Sequence, residues 1–430
     1  MRRLASFAAA LLVLAAAPAA LAAPPSPRVT AENVARAIEA NYYDPARGKA
    51  VADELRAEAA RGGFDRFTDP RVLATELSRR LKPKDAHFDV VYFGEEPPQG
   101  PGPGGGGPPP PQGDPFRRGN YGFRQVELLP GNLGLIELSG FVPIDFDDEA
   151  DAARRAADAA VRLVSGADAV IIDLRDNGGG SPAMVGYLAS AFTPAGADIY
   201  NVFHSRQGVR SEAPGRPYPT PILDAPVYVL ISGRTGSAAE ALAYTLQAAK
   251  RAVIVGEASA GAANPGGGFP AGGGFGVFVS TGSPRNPITG GNWETTGVTP
   301  DVKVPAERAL EEAQRLALTA VLARGTLTGP DRTDSEWALA ALTPSPVPPQ
   351  NLADFAGDYS GVTVSVDGQT LRYVRGRRPA WTLVPIGPDL FRSRDVPTRR
   401  IRFQRGPDGR VTALEIVYPE GPVGLYPRGA

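Results

Sequence analysis

The sequence predicts an α/β protein with an N-terminal helical bundle and a small C-terminal antiparallel β-module. Three observations lead to this class. Residues 30–82 repeat apolar side chains at helical spacing. Residues 121–325 alternate continuous apolar strands with amphipathic helices, which indicates a mostly parallel sheet covered on both faces. Beyond residue 350, short alternating strands are separated by Asp-Gly turns, as in hairpins.

Composition narrows the possible functions. The chain has 430 residues, more than one core usually fills, so we expect two or three domains. Its 45 basic and 46 acidic side chains nearly cancel, which argues against a nucleic-acid partner. The absence of cysteine excludes disulfides and thiolate sites. With only His87 and His204, a multi-histidine zinc site is nearly impossible. We expect neither a metal nor a cofactor.

Residues 1–22 are predicted to be a signal peptide. Arg2 and Arg3 precede an apolar Ala/Leu run, and residues 20–22 form a small-x-small cleavage pattern. A membrane anchor is the alternative, but it needs about 20 apolar residues and would lack that cleavage pattern. We therefore expect an exported protein, periplasmic or secreted, without stable membrane insertion.

The N-terminal helical domain is predicted over residues 28–93. Val34 and Ile38 are four residues apart, and Val51 and Leu55 repeat that spacing, as in amphipathic helices. The domain ends in a short strand.

Proline and glycine mark the domain boundaries. A linker is predicted over 94–119, because 16 of the 19 residues from Pro97 to Pro115 are Gly or Pro and cannot bury a core. The α/β core then occupies 120–326. A second Pro-rich segment, 344–349, precedes the β-module predicted over 350–430.

Within the core, strands are predicted at 133–138, 169–174, 227–232, 252–256, 275–280 and 302–304. Helices are predicted at 149–164, 182–192, 238–250 and 306–324.

The first chemical signal is a strand that runs into three glycines, Gly178 to Gly180, and then into a helix. Glycine backbone admits a close ligand, and amides beside a helix N-terminus favour an anion. The spacing fits neither a P-loop nor a dinucleotide fingerprint. The same donors suit an oxyanion hole.

The second signal is Ser237, at a predicted strand-to-helix turn. Ser237 and Glu240 fit a capping box, which is a structural role. A serine at such a turn is also well placed as a nucleophile, with the next backbone N–H and the helix dipole available to an oxyanion. The residues alone leave both interpretations open. A third signal is the stretch from Gly256 to Gly291, whose twelve glycines offer room for a substrate backbone.

A family resemblance emerges from several motifs in order. The chain resembles the tail-specific, or C-terminal processing, serine peptidases at 120–123, 133–141, 173–180, 235–240, 256–257 and 297–301. Residues 30–93 look like the helical region of the branch that includes interphotoreceptor retinoid-binding protein and the tricorn protease core. The resemblance implies a crotonase/Clp-protease-like α/β core and serine-type endopeptidase activity on peptide or unfolded protein.

The resemblance also implies site residues. Ser237 is then the nucleophile, with Gly178, Gly179 and Ala238 as the oxyanion hole. One branch of the family uses a lysine base, but no lysine occurs between Lys250 and Lys303.

The other branch uses a histidine in an Asp-x-His element, which matches Asp85 and His87. His87 is therefore the expected base. Glu294 matches the glutamate that completes the site, although Asp85 is an alternative partner for the histidine. The second serine of that arrangement is replaced here by Ala86.

Two other functions stay open at this point. The same fold can act as a non-catalytic protein that binds hydrophobic ligands or peptides, or as a crotonase-like acyl-CoA enzyme. No PDZ-like insert is recognisable, so selection of substrates by a bound C-terminus is not expected. No motif surrounds His204, and the oligomeric state is not predicted.

Overall fold

A computed structural model describes residues 25–94, 114–343 and 351–429. The predicted signal peptide over 1–22, most of the predicted linker over 94–119 and the Pro-rich segment 344–349 lie outside the described residues. Among the helices of the described residues, none has both the length and the apolar composition that crossing a membrane requires.

The helices of the described residues are α1 (Pro27–Asn41), α2 (Pro45–Ala60), α3 (Pro70–Leu81), α4 (Ala152–Leu163), α5 (Pro182–Ser190), α6 (Ala238–Ala248), α7 (Ala309–Ala323) and α8 (Gly329–Leu342). The strands up to the end of the α/β core are β1 (Asp89–Tyr92), β2 (Phe123–Leu129), β3 (Leu133–Leu138), β4 (Ala169–Asp173), β5 (Val202–Ser205), β6 (Gly208–Ser211), β7 (Val227–Ile231), β8 (Ala252–Gly256), β9 (Gly266–Gly272), β10 (Phe275–Ser280), β11 (Gly282–Arg285) and β12 (Val302–Lys303). The C-terminal strands are β13 (Gly357–Tyr359), β14 (Val362–Asp367), β15 (Thr370–Arg375), β16 (Trp381–Gly387), β17 (Leu390–Ser393), β18 (Arg400–Arg405), β19 (Val411–Tyr418) and β20 (Gly421–Pro427).

The chain forms two compact units. The described residues of the first unit are 25–41, 45–94 and 268–279, and those of the second are 42–44, 114–267 and 280–429. The hairpin segment 268–279, which lies within the predicted core, thus belongs to the first unit.

The first unit contains helices α1, α2 and α3 and a small sheet. Helices α1 and α2 bury Val34, Ile38 and Leu55, the apolar positions whose spacing predicts them. Helix α3 is capped by Asp69, whose carboxylate accepts the backbone N–H of Arg71 at 2.8 Å. Strand β1 pairs antiparallel with β10, in the sheet order β1-β10-β9.

The second unit is built on a six-stranded sheet in the order β12-β8-β7-β4-β3-β2. All neighbours are parallel except β2 and β3. Helices α4, α5 and α6 contribute to the apolar core on one face, while α7 and α8 contribute to a separate core cluster. The predicted fold class, with a mostly parallel sheet covered on both faces, is confirmed.

Strand order determines which loops meet. Strands β4 and β7 are parallel neighbours, pairing Asp173 with Leu230, so both carboxyl ends lie at the same edge of the sheet. The three-glycine loop follows β4 and the Ser237 turn follows β7. Two segments more than 50 residues apart in sequence are therefore brought together by the sheet.

The C-terminal β-module is an eight-stranded antiparallel meander from β13 to β20. A bridge between Tyr359 and Arg428 joins its first strand to the residue after its last strand. The interior combines aliphatic side chains with a cluster of aromatic rings that includes Phe355, Phe391 and Phe403. The interior of the module is therefore a packed core.

One buried carboxyl group in the second unit, that of Glu212, was not predicted from the sequence. Glu212 is almost fully buried, and its Oε2 accepts a hydrogen bond of 2.8 Å from the Asn201 side chain. Asn201 also bonds to Thr245 and Asn286. Because a single hydrogen bond does not offset the loss of water, burial raises the pKa of Glu212 to about 7.

This shift gives a pH prediction. The unfolded chain ionises Glu212 near pH 4.5 and the folded chain only near 7, so stability should fall as pH rises between these values. Glu212→Gln removes this titration. The unfolding free energy of the variant minus that of the wild type should therefore increase by on the order of 3 kcal/mol from pH 4.5 to pH 8. Urea unfolding at both pH values measures this, with the exposed Glu127→Gln as control. An equal difference at both pH values contradicts the prediction.

Candidate active site

The backbone of Ser237 is unusual for a non-glycine residue. Ser237 is exposed, ends the turn after β7 and precedes α6, with φ 52° and ψ −119°. A left-handed φ is sterically unfavourable for a residue with a Cβ, and such strain concentrates at functional sites. A strained strand-to-helix turn is also how a nucleophile elbow presents its serine.

The turn has part of the capping arrangement that the sequence suggests. The Glu240 carboxylate accepts the Ser237 N–H at 2.7 Å, as in a capping box. An ordinary N-cap residue, however, has an extended backbone with a negative φ, and Ser237 does not. The cap therefore coexists with a strained geometry that capping alone does not require.

The three-glycine loop lies directly against Ser237. A Cβ built on Gly179 would be 2.7 Å from the Ser237 Cβ and 2.9 Å from the Gly236 carbonyl oxygen. Gly179 also has φ +114°, so only glycine fits this contact. The loop and the turn are joined by a hydrogen bond of 3.0 Å from the Gly236 N–H to the Asn177 carbonyl oxygen.

Two hydroxyl groups reinforce this junction. The Thr235 hydroxyl donates to the Leu174 carbonyl at 2.8 Å, and the Ser232 hydroxyl donates to the Arg175 carbonyl at 2.5 Å. The Arg175 guanidinium in turn contacts the Asp173 carboxylate at 2.6 Å, which raises the pKa of Arg175. The loop after β4 and the turn after β7 thus form one braced structure.

The three amides predicted for the oxyanion hole are not equivalent. The Gly179 N–H donates to Asn177 Oδ1 at 2.9 Å, while the Asn177 Nδ2 donates to the Leu138 carbonyl. Within residues 25–94, 114–343 and 351–429, the N–H groups of Gly178 and Ala238 have no hydrogen-bond partner. Ala238 is the first residue of α6, where the helix dipole favours negative charge.

Asp85 and His87 lie together in the first unit. The His87 Nδ1 is 3.2 Å from Asp85 Oδ1, which also accepts the His87 backbone N–H at 2.9 Å. The Asp85 side chain is almost fully buried, and the His87 side chain is 19% exposed. The Asp85 carboxylate thus fixes both the ring and its backbone, and the neutral ring that donates from Nδ1 has its lone pair on Nε2.

Glu294 lies in the second unit and is held by backbone amides. Its Oε2 accepts the N–H groups of Ala263 and Asn264, each at 2.9 Å, and its own N–H donates to Asn292. The residue is half-buried. These bonds distinguish Glu294 from a solvated loop carboxylate.

His204, the second histidine, is exposed on β5 and is opposite Ser283 of β11. The structure therefore brings Ser237, Gly178, Gly179 and Ala238 together in the second unit, and pairs Asp85 with His87 in the first.

Asn177 and Glu240 are part of this site although the sequence analysis gave neither a functional role. Both are fully buried. Their position within the DNGGG and SAAE motifs was the available signal, since a buried polar side chain must find partners.

Comparison with known proteins identifies the family of the second unit's core. Residues 132–304 match the sequence model of peptidase family S41. A carboxyl-terminal-processing protease of Picosynechococcus sp. (strain ATCC 27264 / PCC 7002 / PR-6) is 33% identical over 144 residues, which are 33% of each chain. The match thus spans about a third of the length of that relative.

Solved structures show weaker likenesses. A lipoprotein from Streptococcus agalactiae overlays 69% of this chain and 98% of its own, with 15% identity and a TM-score of 0.43. The photosystem II D1 C-terminal processing protease overlays 66% of this chain and 94% of its own, with 18% identity and a TM-score of 0.40.

Both TM-scores are below 0.5, so these structural likenesses carry no weight here. The family is identified from the sequence match. Residues 132–304, which include the three-glycine loop, Ser237 and Glu294, belong to peptidase family S41, as the sequence motifs indicate.

Proposed function

We propose that this chain is a serine-type endopeptidase in which Ser237 forms the acyl-enzyme and His87 is the general base. One observation supports this most strongly. The exposed, strained Ser237 adjoins a glycine loop, and among the described residues the amides of Gly178 and Ala238 have no hydrogen-bond partner. This combination provides a nucleophile and donors for the charge that develops when it attacks a carbonyl.

The proposed reaction uses these groups in two steps. The Ser237 Oγ attacks the peptide carbonyl carbon while His87 Nε2 takes the hydroxyl proton, and the N–H groups of Ala238 and Gly178 donate to the oxyanion. The C–N bond then breaks as His87 returns the proton to the leaving amine. A water molecule then gives a proton to His87 and attacks the ester carbonyl carbon, and His87 passes that proton to the Ser237 Oγ as the C–O bond breaks and the carboxylic acid product leaves. Since Gly179 donates to Asn177, its contribution to the oxyanion hole is to hold the loop in place.

The two carboxylates have separate proposed roles. The contact of Asp85 with Nδ1 supports Asp85 as the group that orients the ring. Glu294 is proposed to stabilise the imidazolium that forms when His87 takes the proton, as a charge held by two amides. The substrates proposed are extended peptide segments and unfolded proteins.

The two histidines allow a matched test. His87→Gln should lower the rate of acyl-enzyme formation with a fluorophosphonate probe by at least about a hundredfold, the usual contribution of a general base. His204→Gln, at an exposed strand position, should label at the wild-type rate. Mass spectrometry of the labelled protein over time measures both rates. Equal labelling of the two variants would remove His87 from the mechanism.

Export is proposed from the sequence pattern of residues 1–22 alone. Expression of the full chain followed by cell fractionation should give a protein outside the cytoplasm whose N-terminal residue is Ala23. Retention of Met1 on the cytoplasmic product contradicts export.

A further inference from the structure

A pocket in the second unit lies far along the chain from the motifs of the peptidase site. It is bounded by α7 and α8 on one side and by strands β16, β17 and β18 on the other, and has a volume of about 290 Å³. Much of its wall is apolar, formed by Leu318, Trp337, Leu342, Ile386 and Leu390. This size is near the lower end of small-molecule sites.

Two arginines line the same pocket. Arg392 of β17 and Arg400 of β18 are directly opposite each other in the strand register, so their side chains leave the sheet on the same face. Like charges in that arrangement are unfavourable unless something offsets them. In the described part of the chain, neither guanidinium forms an ion pair with a carboxylate.

The described surroundings of Arg400 leave its charge without a counter-ion. Its guanidinium lies 4.1 Å from the centre of the Trp337 ring, an attractive cation–π contact that does not neutralise the charge. Burial lowers the pKa of Arg400 to about 10, since no anion among the described residues compensates for the loss of water. Asp334, the acidic residue in the wall, uses its Oδ2 to accept the Gly131 N–H, and burial raises its pKa.

We propose that this pocket binds a small amphipathic carboxylate of the fatty-acid class. The carboxylate would accept hydrogen bonds from Arg392 and Arg400, and the hydrocarbon chain would lie along the wall of Trp337 and Leu390. Arginine is suited to this because its planar donors match a carboxylate in pairs.

The backbone around the pocket favours a hydrocarbon chain over a peptide. Strands β16, β17 and β18 are interior strands, each hydrogen-bonded to a neighbour on both sides. They therefore have no unpaired edge to which a peptide backbone can add. A peptide would leave its own amides without partners against the apolar wall, whereas a hydrocarbon chain has no such groups.

The test uses the full chain and decanoate as the probe. Calorimetric titration should show saturable binding of decanoate and none of decanol, which lacks the charge. Arg400→Gln and Arg392→Gln should each weaken binding about tenfold or more. Arg372→Gln, an exposed arginine elsewhere in the β-module, should bind like wild type. Ser237→Ala should also bind like wild type, because the pocket does not depend on the proposed peptidase activity.

Several results would overturn the proposal. These are absence of saturable binding, equal binding of decanoate and decanol, and equal affinity in wild type and both pocket variants. Tighter binding of a short apolar peptide with a free C-terminus, lost on Arg400→Gln, would also overturn the fatty-acid assignment. Thermal unfolding of each variant without ligand shows whether the variant is folded. Weaker binding by a variant that unfolds at the wild-type temperature reflects loss of the binding site.

Discussion

Ser237→Ala and Ser237→Gly are both expected to abolish labelling by a fluorophosphonate probe and to lower peptide hydrolysis about ten-thousandfold or more. Both variants lack the hydroxyl that attacks the carbonyl carbon. The two should nevertheless differ in stability, because the backbone of residue 237 has φ 52° and ψ −119°.

The sign of this difference follows from the strain. Alanine keeps the Cβ that makes the left-handed φ unfavourable, whereas glycine removes it. Relief of such strain is worth about 1 to 3 kcal/mol, less the larger chain entropy that glycine gives the unfolded state, about 0.5 to 1 kcal/mol. We therefore expect Ser237→Gly to be more stable than Ser237→Ala by about 1 kcal/mol.

Labelling and urea unfolding of the same preparations measure the two effects. Ser365→Ala, at an exposed position of β14, is the control for probe specificity and should label fully. Persistent labelling of Ser237→Ala would show that another residue is the nucleophile. A glycine variant less stable than the alanine variant would show that the backbone geometry is not strained.

The main elements of the fold were predictable because they have strong patterns. Strands β4 and β7 are buried along their whole length and are apolar except for Asp173 at the end of β4. Helix α8 was not predicted, since it buries only Ser335 and Ala338 and has little apolar periodicity. Pro330, in the first turn of α8, is typical of a helix N-terminus. The apolar pattern that follows it was too weak for a helix to be predicted. The hairpin of β5 and β6 was missed because all four residues of β6 are exposed.

The site was predictable to the extent that it depends on local motifs. The glycine loop and Ser237 stand at the ends of strands, and strand pairing brings them together. The occupation of the Gly179 N–H by Asn177 was not predictable, because it depends on a side-chain rotamer fixed by Leu138 from another strand. The contacts of Glu240 with a loop about 20 residues further on also depend on tertiary structure.

Glu240→Gln is expected to cost both stability and turnover. The fully buried carboxylate accepts four hydrogen bonds of 2.6 to 2.9 Å, two at each oxygen. The donors are the N–H groups of Ser237, Gly261 and Ala262 and the Ser259 hydroxyl. A glutamine would place an NH₂ group against two of these donors and leave them without an acceptor, at a cost of about 2 to 4 kcal/mol.

The same bonds connect Ser237 to Glu294. Glu240 holds the nucleophile's backbone and residues 261 and 262, and the next two amides, of Ala263 and Asn264, hold the Glu294 carboxylate. Loss of the Glu240 carboxylate should therefore displace the nucleophile and the proposed partner of the imidazolium at once. Both groups are proposed to act in the chemical step, so Glu240 is a positioning residue whose loss should lower kcat about a hundredfold or more with little change in KM.

Steady-state kinetics on a peptide substrate, at a temperature where thermal unfolding shows the variant to be folded, separates these effects. Glu257→Gln is the matched control, because Glu257 is exposed and accepts a single long hydrogen bond of 3.3 Å from Ala306. It should retain wild-type kcat and stability. If Glu240→Gln is destabilised but keeps its kcat while folded, then Glu240 supports the fold alone and the link from Ser237 to Glu294 has no part in catalysis.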